Sequence, residues 1–238
     1  MQETGHKVLI TGGGRGIGRA LADRFAAAGN QLLIVGRSQP DNLPDQAIFI
    51  ACDLADQKAR QDLIAHITKD HADLSVLINN AGLQHEGVFA TDWHYDDYAP
   101  ELATNINAVV ALTDGLLPLL KARKEAAIVN ISSALAIQPK QDAPIYCASK
   151  AFIRSFTKSL RYQLAGSPIR VIDVVPPLVD TDMTRGRGTG KITTDKLADI
   201  FWRSWRANKE NIYVGKAGLL QLINRLSPAL ASHIVRHG

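Results

Sequence analysis

The residues with the clearest chemical potential in this sequence are Tyr146 and Lys150, which lie four residues apart. Positions i and i+4 share one face of a helix, so both side chains can reach one site if this segment is helical. A phenol has an unperturbed pKa of about 10, and a neighbouring ammonium group lowers it. Ser133, earlier in the chain, could hold a substrate oxygen against the phenol. Together these residue types indicate proton transfer, although a tyrosine–lysine pair alone is also common on exposed helices.

The elements that must position these residues can be read from short apolar runs that alternate with longer helical patterns. The predicted strands cover residues 7–10, 31–35, 47–51, 74–79, 127–131 and 170–175, and the predicted helices lie near 16–29, 56–71, 97–123, 146–166 and 193–209. The runs are almost continuous in Val, Ile and Leu, as in parallel strands that are covered on both faces. We therefore predict an α/β fold: residues 1–238 form a single Rossmann-like domain, a doubly wound parallel sheet flanked by helices.

Two regions depart from this alternation. Residues 176–195 form a long connection rich in Pro, Gly, Thr and charged residues, and connections of this length are usually functional or mobile. Residues 218–238 form an amphipathic tail in which Pro228 interrupts or restarts a helix. Residues 211–215 hint at a short seventh strand.

A glycine-rich turn follows the first predicted strand, at residues 11–18, and a helical pattern begins directly after it. Gly12, Gly16 and Gly18 have the spacing GxxxGxG rather than the GxGxxG of the common dinucleotide fingerprint. Glycine lets the backbone approach a pyrophosphate, whose negative charge is stabilised at a helix N-terminus. A glycine cluster by itself often serves only a tight turn, but its place between the first strand and the first helix predicts phosphate binding.

The end of the second predicted strand distinguishes the two nicotinamide dinucleotides. NAD sites carry an acidic residue here, which binds the ribose hydroxyls. This sequence has Gly36, Arg37 and Ser38 instead, and Arg15 in the glycine turn adds a second cation. An arginine pairs well with a 2′-phosphate, although exposed arginines are also common on any surface. We therefore predict NADP as the cofactor, with NAD as the less favoured alternative.

These motifs occur in one order along the chain, and together they make residues 6–182 resemble the short-chain dehydrogenase/reductase family. The turn TGGGRGIG matches the TGxxxGxG of that family, and NNAG at residues 79–82 matches its motif after the fourth strand. Asp53, after the third strand, corresponds to the acidic residue that touches the adenine ring. The resemblance therefore implies an oxidoreductase that moves a hydride between nicotinamide and a carbonyl or secondary alcohol.

The resemblance also implies a catalytic tetrad, formed by Asn105, Ser133, Tyr146 and Lys150. In such a tetrad Tyr146 is the general acid/base and Ser133 polarises the substrate carbonyl. Lys150 binds the nicotinamide ribose and lowers the pKa of Tyr146, while Asn105 supports Lys150 through a water molecule. Ser132 is expected to face away from the site.

The glycine turn, the second strand and the resemblance together imply a set of cofactor contacts. These are Gly12, Gly14, Arg15, Gly16, Ile17, Gly18, Arg37, Ser38, Asp53, Leu54, Asn80, Ala81, Gly82, Tyr146, Lys150, Pro176, Val179 and Thr181. The sixth strand of the family is usually followed by Pro-Gly, but here Pro176-Pro177 follows it, and the second proline removes an N–H group. We therefore expect a different turn, and this turn and the tail resemble a narrower branch, the DltE-like oxidoreductases.

Substrate and partners are less constrained. The resemblance implies a small-molecule carbonyl or alcohol substrate under a lid formed by residues 176–195. The cations Arg185, Arg187 and Lys191 either hold an anionic substrate or lie on an exposed, mobile loop, which is the simpler interpretation. Two other functions stay open: a catalytically silent NADP-binding regulator, and a peripheral membrane protein that uses the tail. In the family two helices form a dimer interface, so a homodimer is expected, with a tetramer as the alternative.

Composition argues against several other classes of protein. The chain has 238 residues, of which 46% are hydrophobic, and a net charge of +4. Lys and Arg are scattered rather than clustered, which argues against nucleic-acid binding. Cys52 and Cys147 lie far apart and form no CxxC pair, so neither a disulfide framework nor a metal site is expected. There is no run of 18 apolar residues and no signal segment, so we expect a cytoplasmic protein without a membrane span.

Overall fold

A parallel sheet forms the centre of the computed structural model, which describes residues 1–87, 89, 91 and 94–236. Its strands are β1 (Lys7–Thr11), β2 (Gln31–Gly36), β3 (Ile48–Ala51), β4 (Val76–Asn79), β5 (Ala126–Ile131), β6 (Ile169–Val175) and β7 (Asn211–Tyr213). They pair in the order β3-β2-β1-β4-β5-β6-β7, and all six pairs are parallel. The chain changes side between β1 and β4, and sheets of this type bind ligands at the carboxyl ends of their strands at such a point.

Helices cover both faces of the sheet. They are α1 (Gly16–Ala27), α2 (Gln57–Asp70), α3 (Tyr95–Leu102), α4 (Ala108–Lys121), α5 (Pro144–Gln163), α6 (Thr194–Arg206), α7 (Ala217–Leu226) and α8 (Pro228–Val235). A π-helical turn, Ala103–Asn107, joins α3 to α4 without a break. Side chains of α1 and α6 pack on one face of the sheet, and side chains of α2, α4 and α5 pack on the other.

Alternate residues of each strand fill two separate cores. In β1, Val8 and Ile10 belong to the core on the α1 side, whereas Leu9 belongs to the core on the α2 side. The first core contains an aromatic cluster in which the rings of Phe25 and Trp205 meet edge-on with centroids 5.3 Å apart. Both faces are therefore shielded from water, which explains the almost continuous apolar strands and confirms the predicted fold class.

The predicted elements agree with the structure to within three residues at each end. The hint of a seventh strand is confirmed, because β7 pairs with β6. The predicted helix 97–123 differs in one respect: the π-helical turn interrupts its regular hydrogen bonding, and the extra residue of such a turn re-aims the side chains around it.

The tail is described as far as residue 236, and its last two residues lie outside the described part of the chain. The Ser227 side chain accepts a hydrogen bond from the backbone N–H of Leu230, and Pro228 occupies the first turn of α8. Proline is well tolerated at this position because its missing N–H would have no partner within the helix. Pro228 therefore restarts the helix.

The continuous helical stretch Tyr95–Lys121 is long and apolar enough to cross a membrane, by length and composition alone. In this fold Ala108, Leu112, Leu116 and Leu120 of that stretch are buried against the sheet. A core helix passes the same test of length and composition. The packing therefore accounts for the apolar character of this stretch.

Candidate active site

The glycine turn forms one wall of the crevice at the carboxyl end of β1. The N-cap residue Arg15 makes no side-chain hydrogen bond to α1, and the first turn of that helix contains no acidic residue. The N–H groups of this turn have no partner within the helix, so they can bind an anion. Gly12 and Gly16 have φ angles of 65° and 56°, a region that favours glycine. The turn therefore fits a pyrophosphate group.

Gly18 allows the first helix to lie directly on the glycine turn. A Cβ atom at Gly18 would stand 2.3 Å from the carbonyl oxygen of Gly12, closer than any real contact, and the obstacle is backbone. The close approach of helix to strand therefore requires glycine at position 18.

The NNAG segment holds the same turn from the other side. The hydroxyl oxygen of Thr11 accepts hydrogen bonds from the backbone N–H groups of Asn80 and Ala81, at 2.9 and 3.0 Å. The Asn80 side chain donates to the carbonyl oxygens of Thr11 and Gly12, at 2.9 and 3.2 Å. These bonds join the ends of β1 and β4, so the turn is held in one conformation before any ligand binds.

Two exposed cations lie at the edge where a 2′-phosphate is expected. Arg37 is exposed directly after β2, and the Arg15 side chain is 76% exposed, with Nη1 3.8 Å from Asp182 Oδ2. A Cβ atom at Gly36 would lie 3.6 Å from the Phe49 ring, an ordinary contact. There is therefore room for a side chain at position 36, and the absence of a carboxylate at the end of β2 is not forced by packing. The guanidinium groups of Arg15 and Arg37 are both accessible to a phosphate.

Other predicted cofactor residues lie along the same crevice. Ser38 and Asp53 are exposed, and Leu54 is buried beneath them. Asp53 Oδ1 accepts a hydrogen bond from the backbone N–H of Ala55 at 2.9 Å. Because Asp53 is exposed, its second carboxylate oxygen could accept a hydrogen bond from the amine of an adenine ring. This adenine contact stays a prediction.

Ser133 and Tyr146 are brought together by the end of β5 and the first turn of α5. The Ser133 hydroxyl lies within hydrogen-bonding reach of the Tyr146 phenol. Burial of the phenol raises the pKa of Tyr146 to about 12; the bond with Ser133 and the charge of Arg187 oppose this rise, and Cys147 and Glu101 add to it. At neutral pH Tyr146 is therefore a protonated acid.

Lys150 lies one helical turn further along α5, with its ammonium group inside the protein. Nζ donates a hydrogen bond to the carbonyl oxygen of Ile131 at 2.9 Å and lies 5.6 Å from the centre of the Tyr146 ring. Burial lowers the pKa of Lys150 to about 8, while the charges of Glu101 and Asp173 raise it. The net lowering of the Tyr146 pKa that the sequence led us to expect is not found, because the loss of hydration at the phenol outweighs the groups that lower this pKa.

Asn105 lies in the π-helical turn, and its side chain is fully engaged with protein. Its Oδ1 accepts from the backbone N–H of Leu83 at 2.8 Å, and its Nδ2 donates to the carbonyl oxygen of Leu83 at 2.9 Å and to the Ser149 hydroxyl at 3.1 Å. A Cβ atom at Gly82 would lie 3.3 Å from Asn105 Oδ1 and 3.5 Å from Lys150 Nζ. Asn105 therefore fixes the loop after β4 beside the lysine, and its support of Lys150 through water stays a prediction.

The predicted lid begins close to the glycine turn. Pro176 is buried, and its carbonyl oxygen accepts a hydrogen bond from the backbone N–H of Ala134 at 2.8 Å. Val179 and Ile192 form a short parallel bridge that closes the base of the loop. A Cβ atom at Gly16 would lie 3.2 Å from the Thr181 methyl group, so the lid touches the cofactor turn there. The Pro176-Pro177 turn thus leaves Val179 and Thr181 near the predicted nicotinamide end of the crevice.

Residues 6–191 match the family described as short chain dehydrogenase. The chain belongs to the short-chain dehydrogenase family. It is 39% identical over 193 residues to the uncharacterized oxidoreductase DltE of Bacillus subtilis (strain 168), an alignment that covers 78% of this chain and 76% of that protein. The predicted family and its DltE-like branch are therefore confirmed.

Two further relatives have named activities. Sulfoacetaldehyde reductase 2 of Chromohalobacter salexigens is 36% identical over 77% of this chain and 76% of its own length. The NADP-dependent 3-hydroxy acid dehydrogenase YdfG of Shigella flexneri is 31% identical over 72% of each chain. A short chain dehydrogenase from Burkholderia cenocepacia J2315, solved in complex with NADP, has the same fold, with a TM-score of 0.89, 22% identity and 99% of both chains covered. This dehydrogenase is thus an oxidoreductase that acts on CH–OH or C=O groups.

Sequence reasoning missed Glu101 of this dehydrogenase. The residue is completely buried, and its Oε2 accepts hydrogen bonds from the backbone N–H of His85 at 2.9 Å and from the His85 ring at 3.0 Å. Its Oε1 has no hydrogen-bond partner within the described residues. Its position four residues before Asn105, on the same helical stretch, was the available signal. Ser132 faces away from Tyr146, as expected, and its hydroxyl donates to Asp173 at 2.5 Å.

Replacing Gly18 by alanine tests the tight approach of α1 to the glycine turn. We expect Gly18→Ala to strain the turn by about 1–3 kcal/mol and to weaken dinucleotide binding about tenfold or more, because backbone atoms must move. Gly218→Ala in α7 is the matched control, since a Cβ atom at Gly218 would meet only an ordinary contact, 3.5 Å from the Tyr213 Cβ. Titration of NADPH fluorescence measures both affinities. Equal affinities for the two variants would contradict the close packing at Gly18.

Proposed function

We propose that this dehydrogenase reduces a small carbonyl compound, or oxidises the corresponding alcohol, with NADP(H) as cofactor and Tyr146 as general acid/base. The observation that carries the proposal is that Ser133, Tyr146 and Lys150 meet at the carboxyl edge of the sheet, beside a turn that fits a pyrophosphate. When bound, NADPH supplies the hydride that adds to the carbonyl carbon. The residues of the chain then have to hold the carbonyl oxygen and deliver one proton to it.

Tyr146 delivers that proton. Its pKa of about 12 keeps the phenol protonated at neutral pH, which is the form that a reduction requires. Ser133 lies beside the phenol and holds the substrate oxygen at the same place. After the transfer, the negative charge on Tyr146 is stabilised by the ammonium group of Lys150, across a distance of 5.6 Å from Nζ to the ring centre.

The preference for NADP is supported by charge at the end of β2. Arg37 and Arg15 are exposed at the edge that faces the adenosine ribose, and Gly36 offers no carboxylate to bind its hydroxyls. A guanidinium group binds phosphate through paired, charge-assisted hydrogen bonds. The YdfG relative, named as NADP-dependent, points to the same cofactor.

The named relatives suggest the class of substrate. Sulfoacetaldehyde carries a sulfonate, and a 3-hydroxy acid carries a carboxylate, so both compounds join a reactive carbon to an acid group. We extend this class to the present chain: a short aldehyde or ketone with an acid group, or the matching hydroxy acid.

The alternatives from the sequence are less well supported. A catalytically silent regulator would not need both Tyr146 and Lys150, which the chain keeps side by side. A peripheral membrane role would use the apolar side chains that α7 and α8 expose, namely Leu219, Leu222, Leu226, Leu230 and Ile234. That role would not account for the meeting of Ser133, Tyr146 and Lys150, so we place it second.

The expected homodimer has a suitable surface. A groove of ≈ 630 Å³ lies between α2, α4 and α5, and its apolar lining includes Ile64, Val110, Leu117 and Phe156. Val110 is exposed and Phe156 is half-buried there, and an apolar patch on the surface often marks a protein–protein interface. We propose that a second copy of the chain covers it.

Removal of the Tyr146 hydroxyl tests the general acid. We expect Tyr146→Phe to lower turnover with NADPH at least about 100-fold, because the variant loses the hydroxyl group that donates the proton to the substrate oxygen. The affinity for NADPH should change little. Tyr162→Phe, on the exposed end of the same helix, is the control and should retain full activity. Turnover by Tyr146→Phe at the wild-type rate would show that the proton comes from another group.

Neutralising Arg37 tests the cofactor preference. We expect Arg37→Gln to lower kcat/KM for NADPH about 10- to 100-fold and to leave kcat/KM for NADH nearly unchanged, because only NADPH carries the 2′-phosphate. Lys69→Gln removes the same charge from the last turn of α2, at the opposite edge of the sheet, and should change neither. Equal use of NADH and NADPH by the wild type would contradict the preference.

The pH dependence of reduction tests the charge of Lys150. The pKa of Lys150 lies at about 8, so its stabilising charge is present below this pH and is lost as pH rises through it. We expect kcat/KM for reduction to fall on the alkaline side of about pH 8. Glu101→Gln should move this fall to lower pH, because the Glu101 carboxylate raises the pKa of Lys150.

The readout is the midpoint of the pH profile rather than its height, so a smaller folded fraction of the variant does not affect it. Asp96→Asn removes an exposed carboxylate from the same helix as Glu101 and should leave the midpoint in place. A midpoint that stays fixed in Glu101→Gln would mean that Glu101 does not act on the titrating group.

A further inference from the structure

The three cations of the lid, Arg185, Arg187 and Lys191, have different positions in the structure. Arg185 is 82% exposed and pairs with its neighbour Asp182. Lys191 is tied into the loop, where its Nζ donates to the carbonyl oxygen of Thr184 at 2.5 Å and lies 3.7 Å from Asp180. Both charges are therefore used within the lid itself.

Arg187 is directed inward instead. Its side chain is only 31% exposed, and Gly186 and Gly188 on either side have φ angles of 77° and 52°, so the chain turns sharply around it. A Cβ atom at Gly188 would stand 2.6 Å from the Leu178 side chain, so the loop is packed tightly against the start of the lid. The positive charge of Arg187 lies close enough to Tyr146 to lower the pKa of the phenol. Arg187 Nη1 also lies 3.2 Å from Glu86 Oε1, on the loop after β4 that Asn105 fixes beside Lys150, so Arg187 reaches from the lid to the loop that borders the reaction centre.

The guanidinium group of Arg187 has hydrogen-bonding capacity to spare. Its Nη1 is buried and lies 3.2 Å from Glu86 Oε1, but it makes no hydrogen bond to any described residue. The same oxygen of Glu86 already accepts from Gln84 Nε2 at 3.0 Å and from Lys140 Nζ. Glu86 therefore interacts with several donors at once. The positive charge of Lys140 neutralises part of the negative charge of Glu86, so Glu86 only partly cancels the positive charge of Arg187. A buried guanidinium nitrogen without an acceptor costs free energy until an anion supplies one.

We propose that Arg187 binds the acid group of the substrate, and that this contact makes the enzyme selective for anionic carbonyl compounds. A sulfonate or a carboxylate would accept hydrogen bonds from the guanidinium group while Ser133 and Tyr146 hold the carbonyl oxygen at the other end of the molecule. The two contacts orient the carbonyl carbon, because a short molecule held at both ends has little freedom to turn. This inference rests on the proposed function of the site.

The test compares an anionic with a neutral substrate in the full-length enzyme with NADPH. Sulfoacetaldehyde and succinic semialdehyde represent the sulfonate and the carboxylate, and butanal is the neutral aldehyde. We expect Arg187→Gln to lower kcat/KM for at least one anionic aldehyde about 10- to 100-fold, mainly through KM, and to leave butanal within about twofold. Arg187→Lys should recover part of the loss, since it keeps the charge but not the paired donors.

Arg185→Gln is the matched control, because it removes the same charge from the same loop at an exposed position, and it should leave all three substrates unchanged. The relative loss for sulfoacetaldehyde and succinic semialdehyde identifies which acid group fits. An equal loss for butanal and for the anionic aldehydes in Arg187→Gln, or an equal effect of Arg185→Gln, would overturn the proposal.

A binding measurement separates this proposal from the proposed function. Ethanesulfonate and propionate cannot react, and calorimetry gives their affinity for the wild type and for Arg187→Gln in the presence of NADP⁺. Weaker binding to the variant supports the role of Arg187 even if none of the aldehydes is reduced, an outcome that would count against the proposed function alone. Equal binding to both proteins would overturn the role of Arg187 while leaving the function of Tyr146 intact.

Discussion

The buried ammonium group of Lys150 is the constraint on which the rest of the site depends. A charge removed from water is costly unless hydrogen bonds and opposite charges surround it. The Ile131 carbonyl oxygen supplies a hydrogen bond, and the carboxylates of Glu101 and Asp173 supply the charge. These groups come from β5, α3 and β6, so three elements that are distant in sequence must meet around one nitrogen atom.

The two carboxylates are themselves held in place. Asp173 accepts from the Ser132 hydroxyl at 2.5 Å, and Arg154 Nε lies 3.4 Å from its other oxygen. Glu101 is fixed by the backbone N–H of His85 at 2.9 Å. The charge state of the lysine therefore depends on contacts well beyond the reacting atoms, and the loop after β4 is tied to the same network.

The lid and the cofactor turn share a boundary. Thr181 lies against Gly16, and Asp182 lies 3.8 Å from the Arg15 guanidinium, so the first residues of the predicted lid contact the glycine turn. Further along the same lid, Arg187 reaches toward Tyr146. One segment of backbone thus contacts the glycine turn at its start and carries the charge of Arg187 to the surroundings of Tyr146.

The sequence by itself determined the order of strands and helices, the place of the glycine turn and the shared helix face of Tyr146 and Lys150. Apolar periodicity, glycine spacing and the i, i+4 relation are local properties of the chain. Only the tertiary structure decided that the buried Glu101 raises the pKa of the lysine, that burial leaves the Tyr146 pKa high, and that Arg187 is less exposed than Arg185. Those features depend on loss of hydration and on distances between residues far apart in the chain, and no local pattern contains either quantity.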